Sequence, residues 1–232
     1  MAPLRITVGG SSSITRQPER GVLNLTVNGE GSTRETVSNN VTETSNELSK
    51  LFRELSPKPE ALDSSPGAAV VSFSSTSLRT WRWRPLDGAK NFQDLEHRGN
   101  LSFVAVFRDF TKMSEVVGKL VGYANVDINS IGWELTDATK KALSSESRKE
   151  AMRDAVQKAN DYTEVIGRKV AAVEIEDGGN SSFGILSRRP PGLFGGNSGA
   201  LVPEPPTPLD LTPQQIQYTS SVRVIFESVS DE

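Results

Sequence analysis

The sequence predicts an α+β fold: an antiparallel sheet of split βαβ order (strand, helix, strand, strand, helix, strand), then a third long helix and C-terminal strands. Three observations carry this. From Val22 to Val27, Leu23, Leu25 and Val27 alternate with Asn24 and Thr26, the period of a half-buried strand. Directly afterwards Val37, Val41, Thr44, Leu48, Leu51, Phe52 and Leu55 recur at helical spacing. The passage then comes again: Leu101, Phe103, Ala105 and Phe107 alternate before Met113, Val116, Val117, Leu120 and Val121 on a helical stripe. In a split βαβ unit the helices cover one face of the sheet.

Taken in order, Leu4 to Gly10 reads as a short strand with Ile6 and Val8 on one face. In the first strand-to-helix passage, Gly29 and Gly31 are expected to supply the turn, and Ser32 with Glu35 to form a capping box that satisfies open backbone donors. Pro57 and Pro59 end that helix, and Ser56 to Gly67 is proline-punctuated loop. Val70 to Trp83 is extended, broken in its serine-rich middle, and Pro85 to Gly99 is irregular. Val126 to Leu135 returns as a strand containing Trp133.

Thr136 and Asp137 can cap a helix to about Ile166, with Leu143, Met152, Ala155, Val156, Ala159, Tyr162, Val165 and Ile166 near one stripe. Ser144 and Ser145 offer a point where it can break or kink, and Gly167 stands where a left-handed C-terminal cap belongs. Val170 to Ile175 is a strand closed by Asp177, Gly178 and Gly179. From Asn180 to Pro213 periodicity vanishes and seven of the 13 prolines gather, so a flexible Pro/Gly-rich insertion is expected inside a single domain spanning 1–232. Tyr218 to Phe226 alternates again as the closing strand.

Composition excludes several classes. With 26 basic and 29 acidic residues and a net charge of −3, no basic field invites nucleic acid or an anionic membrane. The absence of cysteine removes disulfides, thiolate zinc sites and cysteine nucleophiles. No apolar run approaches the roughly 18 residues of a membrane helix, and the N-terminus lacks a signal-peptide pattern, so a cytoplasmic or nuclear location is expected. The Asn-x-Ser/Thr triplets at Asn24, Asn40, Asn100 and Asn180 are then not expected to be glycosylated.

Several segments together resemble the SIMPL-domain family, long filed as a domain of unknown function. They are Ile6-Thr-Val-Gly-Gly10, Pro18-Glu19 before Leu23-Asn-Leu-Thr-Val27, Glu35-Thr-Val37, Asn100 to Asp109 with the Met113 to Leu120 helix, and Val126 to Leu135. Lys149 to Ala159, Gly167, Ile175-Glu-Asp-Gly-Gly179 and Val222 to Phe226 complete the match, which spans nearly the whole chain through the order of motifs that are each weak alone. The resemblance implies an α+β domain with no assigned catalytic residues. Bacterial relatives are mostly exported, linked to oxidative-stress defence and in some cases oligomeric, and an animal relative is an adaptor for a Pelle-like kinase. This chain departs from that pattern in lacking an export signal and in its long 180–213 insertion.

Candidate sites are few. A Ser-His-Asp triad would have to use His97, read as a surface-loop residue with no nucleophile-elbow motif near it. Glu174, Glu176 and Asp177 cluster, but alternation places Val173 and Ile175 inward and the carboxylates in solvent, with no His or Cys beside them, so no metal is expected. Gly178, Gly179 and Gly184 lack the strand-to-helix context of a phosphate loop. Trp81-Arg82-Trp83-Arg84 interleaves aromatics with arginine as single-strand binders do, yet period two puts both tryptophans on one face, and a buried strand side is the expectation. Exposed tryptophans would instead suit a protein interface. Arg188-Arg189-Pro190-Pro191 has the composition of a proline-rich ligand for a groove and equally of a linker.

The function expected is therefore a non-enzymatic interaction or scaffold domain without cofactor, self-associating and meeting a protein partner in stress response or signalling. The alternatives are a small-molecule binder or enzyme with 180–213 as a lid, and single-stranded nucleic-acid binding through Trp81 to Arg84. A lid should close a concave site with convergent polar groups; a scaffold should show an apolar surface or open strand edges.

Overall fold

The computed structural model describes residues 4–57, 67–84, 94–178, 182–185 and 211–229. Most of the 180–213 segment, with Arg188, Arg189, Pro190 and Pro191, lies outside the described residues. The fold is α+β, and the chain divides into two compact units, one built from elements at both chain ends and one from the run Glu19–Glu134.

The Glu19–Glu134 unit contains β2 (Arg20–Gly31), α1 (Arg34–Leu55), β3 (Val70–Ser75), β4 (Arg79–Trp83), β5 (Glu96–Phe107), α2 (Phe110–Leu120) and β6 (Val126–Glu134). Its antiparallel sheet has the order β3-β5-β2-β6, with β4 following β3 along the same side of β5. This is the split βαβ order that the alternating segments predict. Leu23, Leu25, Val27, Phe103, Ala105 and Phe107 form the inner face, and Val37, Val41, Leu48 and Phe52 of α1 with Met113, Val116, Val117 and Leu120 of α2 are the buried helix positions. The Phe52 ring lies 5.6–6.3 Å from those of Phe73, Phe103 and Phe107. Each such side chain contributes about 1.5–3 kcal/mol by leaving water, so this unit has a conventional large-residue core.

The start of α1 differs from expectation. Thr33 is the cap, its Oγ1 accepting from the Thr36 backbone N–H at 3.2 Å, so the Ser32/Glu35 box does not form. Gly29 and Gly31 belong to β2, paired with Gly99 and His97 of β5. A Cβ on Gly29 would lie 2.6 Å from Val41 Cγ2, and one on Gly99 would lie 2.9 Å from Val37 Cγ1. These glycines serve helix-on-sheet contact, not a turn. His97, read as a loop residue, is half-buried within β5, which begins several residues earlier than its alternation shows.

The other unit contains β1 (Arg5–Arg16), α3 (Asp137–Ile166), β7 (Val170–Asp177), β8 (Ser182–Ile185) and β9 (Ile216–Ser228). β9 is central. β1 pairs with it antiparallel from Arg5↔Glu227 to Arg16↔Ile216, while β7 and then β8 line its other side. The four residues of β8 replace the irregular chain expected at 182–185.

α3 is capped by Thr136, whose Oγ1 accepts from the Thr139 N–H, and ends on Gly167 at φ 68°, both as predicted. It runs unbroken through Ser144 and Ser145. Its buried stripe is Leu143, Ser147, Ala151, Ala155, Ala159 and Thr163; Leu143, Ala155 and Ala159 lie on it as expected, whereas Val156, Tyr162, Val165 and Ile166 are exposed and small Ser147 and Ala151 take buried positions. The reason is close approach: a Cβ on Gly10 of β1 would fall on the Ala151 carbonyl oxygen and 2.8 Å from the Ala155 Cβ. Ser12 Oγ donates to the Ser147 carbonyl at 2.8 Å in the same contact. Small side chains let backbone meet backbone, while Val8, Val222, Val224 and Phe226 close the core around them.

Candidate functional site

The helices of the Glu19–Glu134 unit cover one face of its sheet, and strand alternation places a second set of side chains on the other. Register assigns them: Glu30, Arg98 and Trp81 form one cross-strand row, and Asn28, Asn100 and Arg79 the next. Further rows hold Thr26 with Ser102 and Asn24 with Ser130. The polar groups are knitted together. Asn28 Nδ2 donates to Asp127 Oδ2 at 2.6 Å, Asn24 Nδ2 to Ser130 Oγ at 3.0 Å, and Asn129 Nδ2 to Thr26 Oγ1 at 2.7 Å.

At one end of this face stand the two tryptophans. Trp81 is 42% exposed and Trp83 46%, which overturns their expected burial. Period two correctly puts them on one side of β4, but that side is the one without helices. Arg82, on the opposite side of the strand, pairs in register with His97, and Arg84 follows the strand end. The partner of the tryptophans is a residue the sequence did not single out. The Arg98 guanidinium lies 5.2 Å over the Trp83 ring, a cation–π distance. Its Nη2 is 3.2 Å from Glu30 Oε1 and 3.9 Å from Glu96 Oε2, while its buried Nε has no hydrogen-bond partner among the described residues. Arg98 is thus held flat by a ring and two carboxylates. The available signal was the strand period alone, obscured because Glu96 to Gly99 carries no apolar alternation.

Beside Arg98 opens a cleft of about 580 Å³ with Trp81 in its wall, lined further by Asn28, Glu30, Asn100, Asn125 and Asp127. Asn125 is fixed by donating from Nδ2 to Thr44 Oγ1 at 2.7 Å. Among the described residues no three His, Cys, Asp or Glu side chains converge as metal ligands.

The other unit carries a different surface. Along β7 every residue after Val170 is exposed, and Val173 and Ile175 are 56% and 59% accessible instead of inward. A bulge between Ala172 and Glu174 shifts the alternation. The Ile175 position pairs with Val224 and so faces the helix side, but α3 lies over β1 and β9 and barely reaches β7. Tyr162, Val165 and Ile166 on the last turns of α3 continue the apolar exposure. At the opposite edge, Ser11 N–H of β1 donates to Asp154 Oδ2 at 2.8 Å, and Lys158 Nζ donates to the Gly9 carbonyl at 3.0 Å and to Asp154 at 2.7 Å. These bonds, Lys158 first and the Ser11 N–H second, hold the Asp154 carboxyl below the usual carboxylate range. The β1 edge is thereby covered by side chains, as edges that must not pair often are.

The structure thus defines an α+β protein of two antiparallel sheets, each with helices on one face only, bearing an aromatic cleft on one and exposed apolar residues on the other. Within that class the chain belongs to the SIMPL family, a protein family of unknown function (DUF541), whose model matches residues 6–226. No curated protein matches the chain. Among the described residues no helix is long and apolar enough to cross a membrane.

Proposed function

We propose that the chain is a non-enzymatic interaction domain that assembles with copies of itself and meets protein partners in stress response or signalling. The observation that supports assembly is the run of exposed apolar side chains from Tyr162, Val165 and Ile166 into Val173 and Ile175. Single exposed apolar residues are ordinary. Here they follow one another through the end of α3 and into a strand at the sheet edge, whose outer backbone pairs with no other strand among the described residues. An apolar surface beside an open strand edge is what strand-to-strand or face-to-face association uses.

The test is solution mass by light scattering after size exclusion. The full chain is expected as a defined oligomer above its 25.1 kDa monomer. A Val165→Lys, Ile175→Lys double variant is expected to shift toward monomer while keeping its far-UV circular dichroism. A wild-type chain that stays monomeric across micromolar concentrations removes self-assembly.

A further inference from the structure

We propose that the cleft beside Trp81 binds a neutral hexopyranose unit of a glycan, independently of any self-assembly. The first ground is shape. Trp81 presents an indole in the wall of a concave site of about 580 Å³, within the usual range for small-ligand pockets. An indole offers a flat apolar surface to the C–H face of a pyranose ring, as aromatic faces do for other flat or apolar partners.

The second ground is the chemistry around that ring. Asn28, Asn100 and Asn125 supply amides, each with donors and acceptors, which suits hydroxyls that both give and take hydrogen bonds. Asn28 is anchored by Asp127 and Asn125 by Thr44, so these amides are positioned before any ligand arrives.

The third ground is charge. Arg98 is already paired with Glu30, and Asp127 already accepts from Asn28. A polyanion would find one matched arginine between two carboxylates, the wrong field for phosphates. Walls that set Arg98 against Glu30 and Asp127, with each of these charges already ion-paired or hydrogen-bonded, turn away an anion and favour an uncharged polyol. Arg98 acts here as a positioning and binding group: the Trp83 ring and Glu30 set the plane of its guanidinium at the cleft wall.

The experiment is isothermal calorimetry together with amide chemical-shift titration of the full chain against cellohexaose, the hexamer of N-acetylglucosamine, maltohexaose and, for comparison, oligothymidylate, at low and high sodium chloride. Saturable binding of at least one of the three glycans is expected, unchanged by salt, with shifts centred on Asn28, Asn100 and Trp81. Trp81→Ala should weaken it about tenfold, the scale of one lost aromatic contact, and Trp81→Phe should recover most of it. Because Trp81 is exposed, the melting temperature of both variants should match wild type, and the unshifted amides of Trp81→Ala confirm its fold. No saturable binding of any glycan, equal binding by Trp81→Ala, or salt-sensitive binding of oligothymidylate alone would overturn the proposal. None of these outcomes depends on oligomeric state, so they leave self-assembly separately testable.

Discussion

In the Glu19–Glu134 unit two helices cover the inner face of the sheet, and the buried positions are Phe52, Leu48, Met113 and Leu120 on the helices with Leu23, Leu25, Phe103 and Phe107 on the strands. In the other unit a single helix meets its sheet through Ser147, Ala151, Ala155 and Ala159. Both follow one plan, an antiparallel sheet with one covered face. They differ in how much of the apolar surface the cover reaches. Two helices bury the apolar inner face, so the open face there carries the polar rows and the tryptophans. One helix of small residues sits close over β1 and β9 and leaves β7 bare. Surface available for binding is set by helix coverage as much as by the exposed residues themselves.

The contrast can be broken most severely in the large-residue core. Phe52→Ala removes a ring that touches three other phenylalanines at 0% exposure, and should cost about 3–5 kcal/mol in urea unfolding. All three tryptophans of the chain, Trp81, Trp83 and Trp133, lie in that unit, so the loss should appear fully in tryptophan emission. An unchanged urea midpoint would mean that the core is not organised around Phe52.

A smaller loss is expected from overfilling the close contact of the other unit. Gly10→Val places atoms where the Ala151 carbonyl and the Ala155 side chain stand and should cost about 3 kcal/mol, at the upper end of overpacking effects. The change should be seen in far-UV circular dichroism of α3 more than in tryptophan emission, since all three tryptophans belong to the Glu19–Glu134 unit. A tolerated valine would show that the helix can ride higher on its sheet.

The smallest effect concerns the covered β1 edge. Asp154 has an ordinary value of 3.8 and is lowered in the fold by Lys158 and the Ser11 N–H. A depressed carboxyl contributes stability that is complete above the ordinary range and is lost as pH falls through the folded value. In Asp154→Asn the wild-type advantage in urea midpoint should therefore be present at neutral pH and be lost as pH falls below the ordinary carboxylate value of 3.8 and through the lower folded one. A difference that persists in acid would assign the effect to geometry and not to charge.

Much of this was legible along the chain because it is local. Thr136 and Gly167 bound α3 through their own backbone chemistry, and the periods of Leu23 to Val27 and of Leu101 to Phe107 give the strands that become the centre of the split βαβ sheet. The family match over 6–226 agrees with the resemblance carried by those motifs. The Trp81 cleft was only half visible. Alternation says that Trp81 and Trp83 share a face; it is silent on which face the helices take. Arg98 was invisible, since it reaches Trp83 only through the β4–β5 pairing.

The sequence by itself determined the order of the helices and main strands and both ends of α3, because caps, left-handed glycine and apolar period act over a few residues. Only the tertiary structure decided that Gly29 and Gly99 admit α1, that Gly10 admits α3, that Tyr162, Val165 and Ile166 are left outside the buried stripe while Ser147 and Ala151 enter it, and that the tryptophans face outward. Each of these depends on which surface comes to lie against which. That is a property of strand pairing over long separations, such as Arg5 with Glu227, and no local window of the chain contains it.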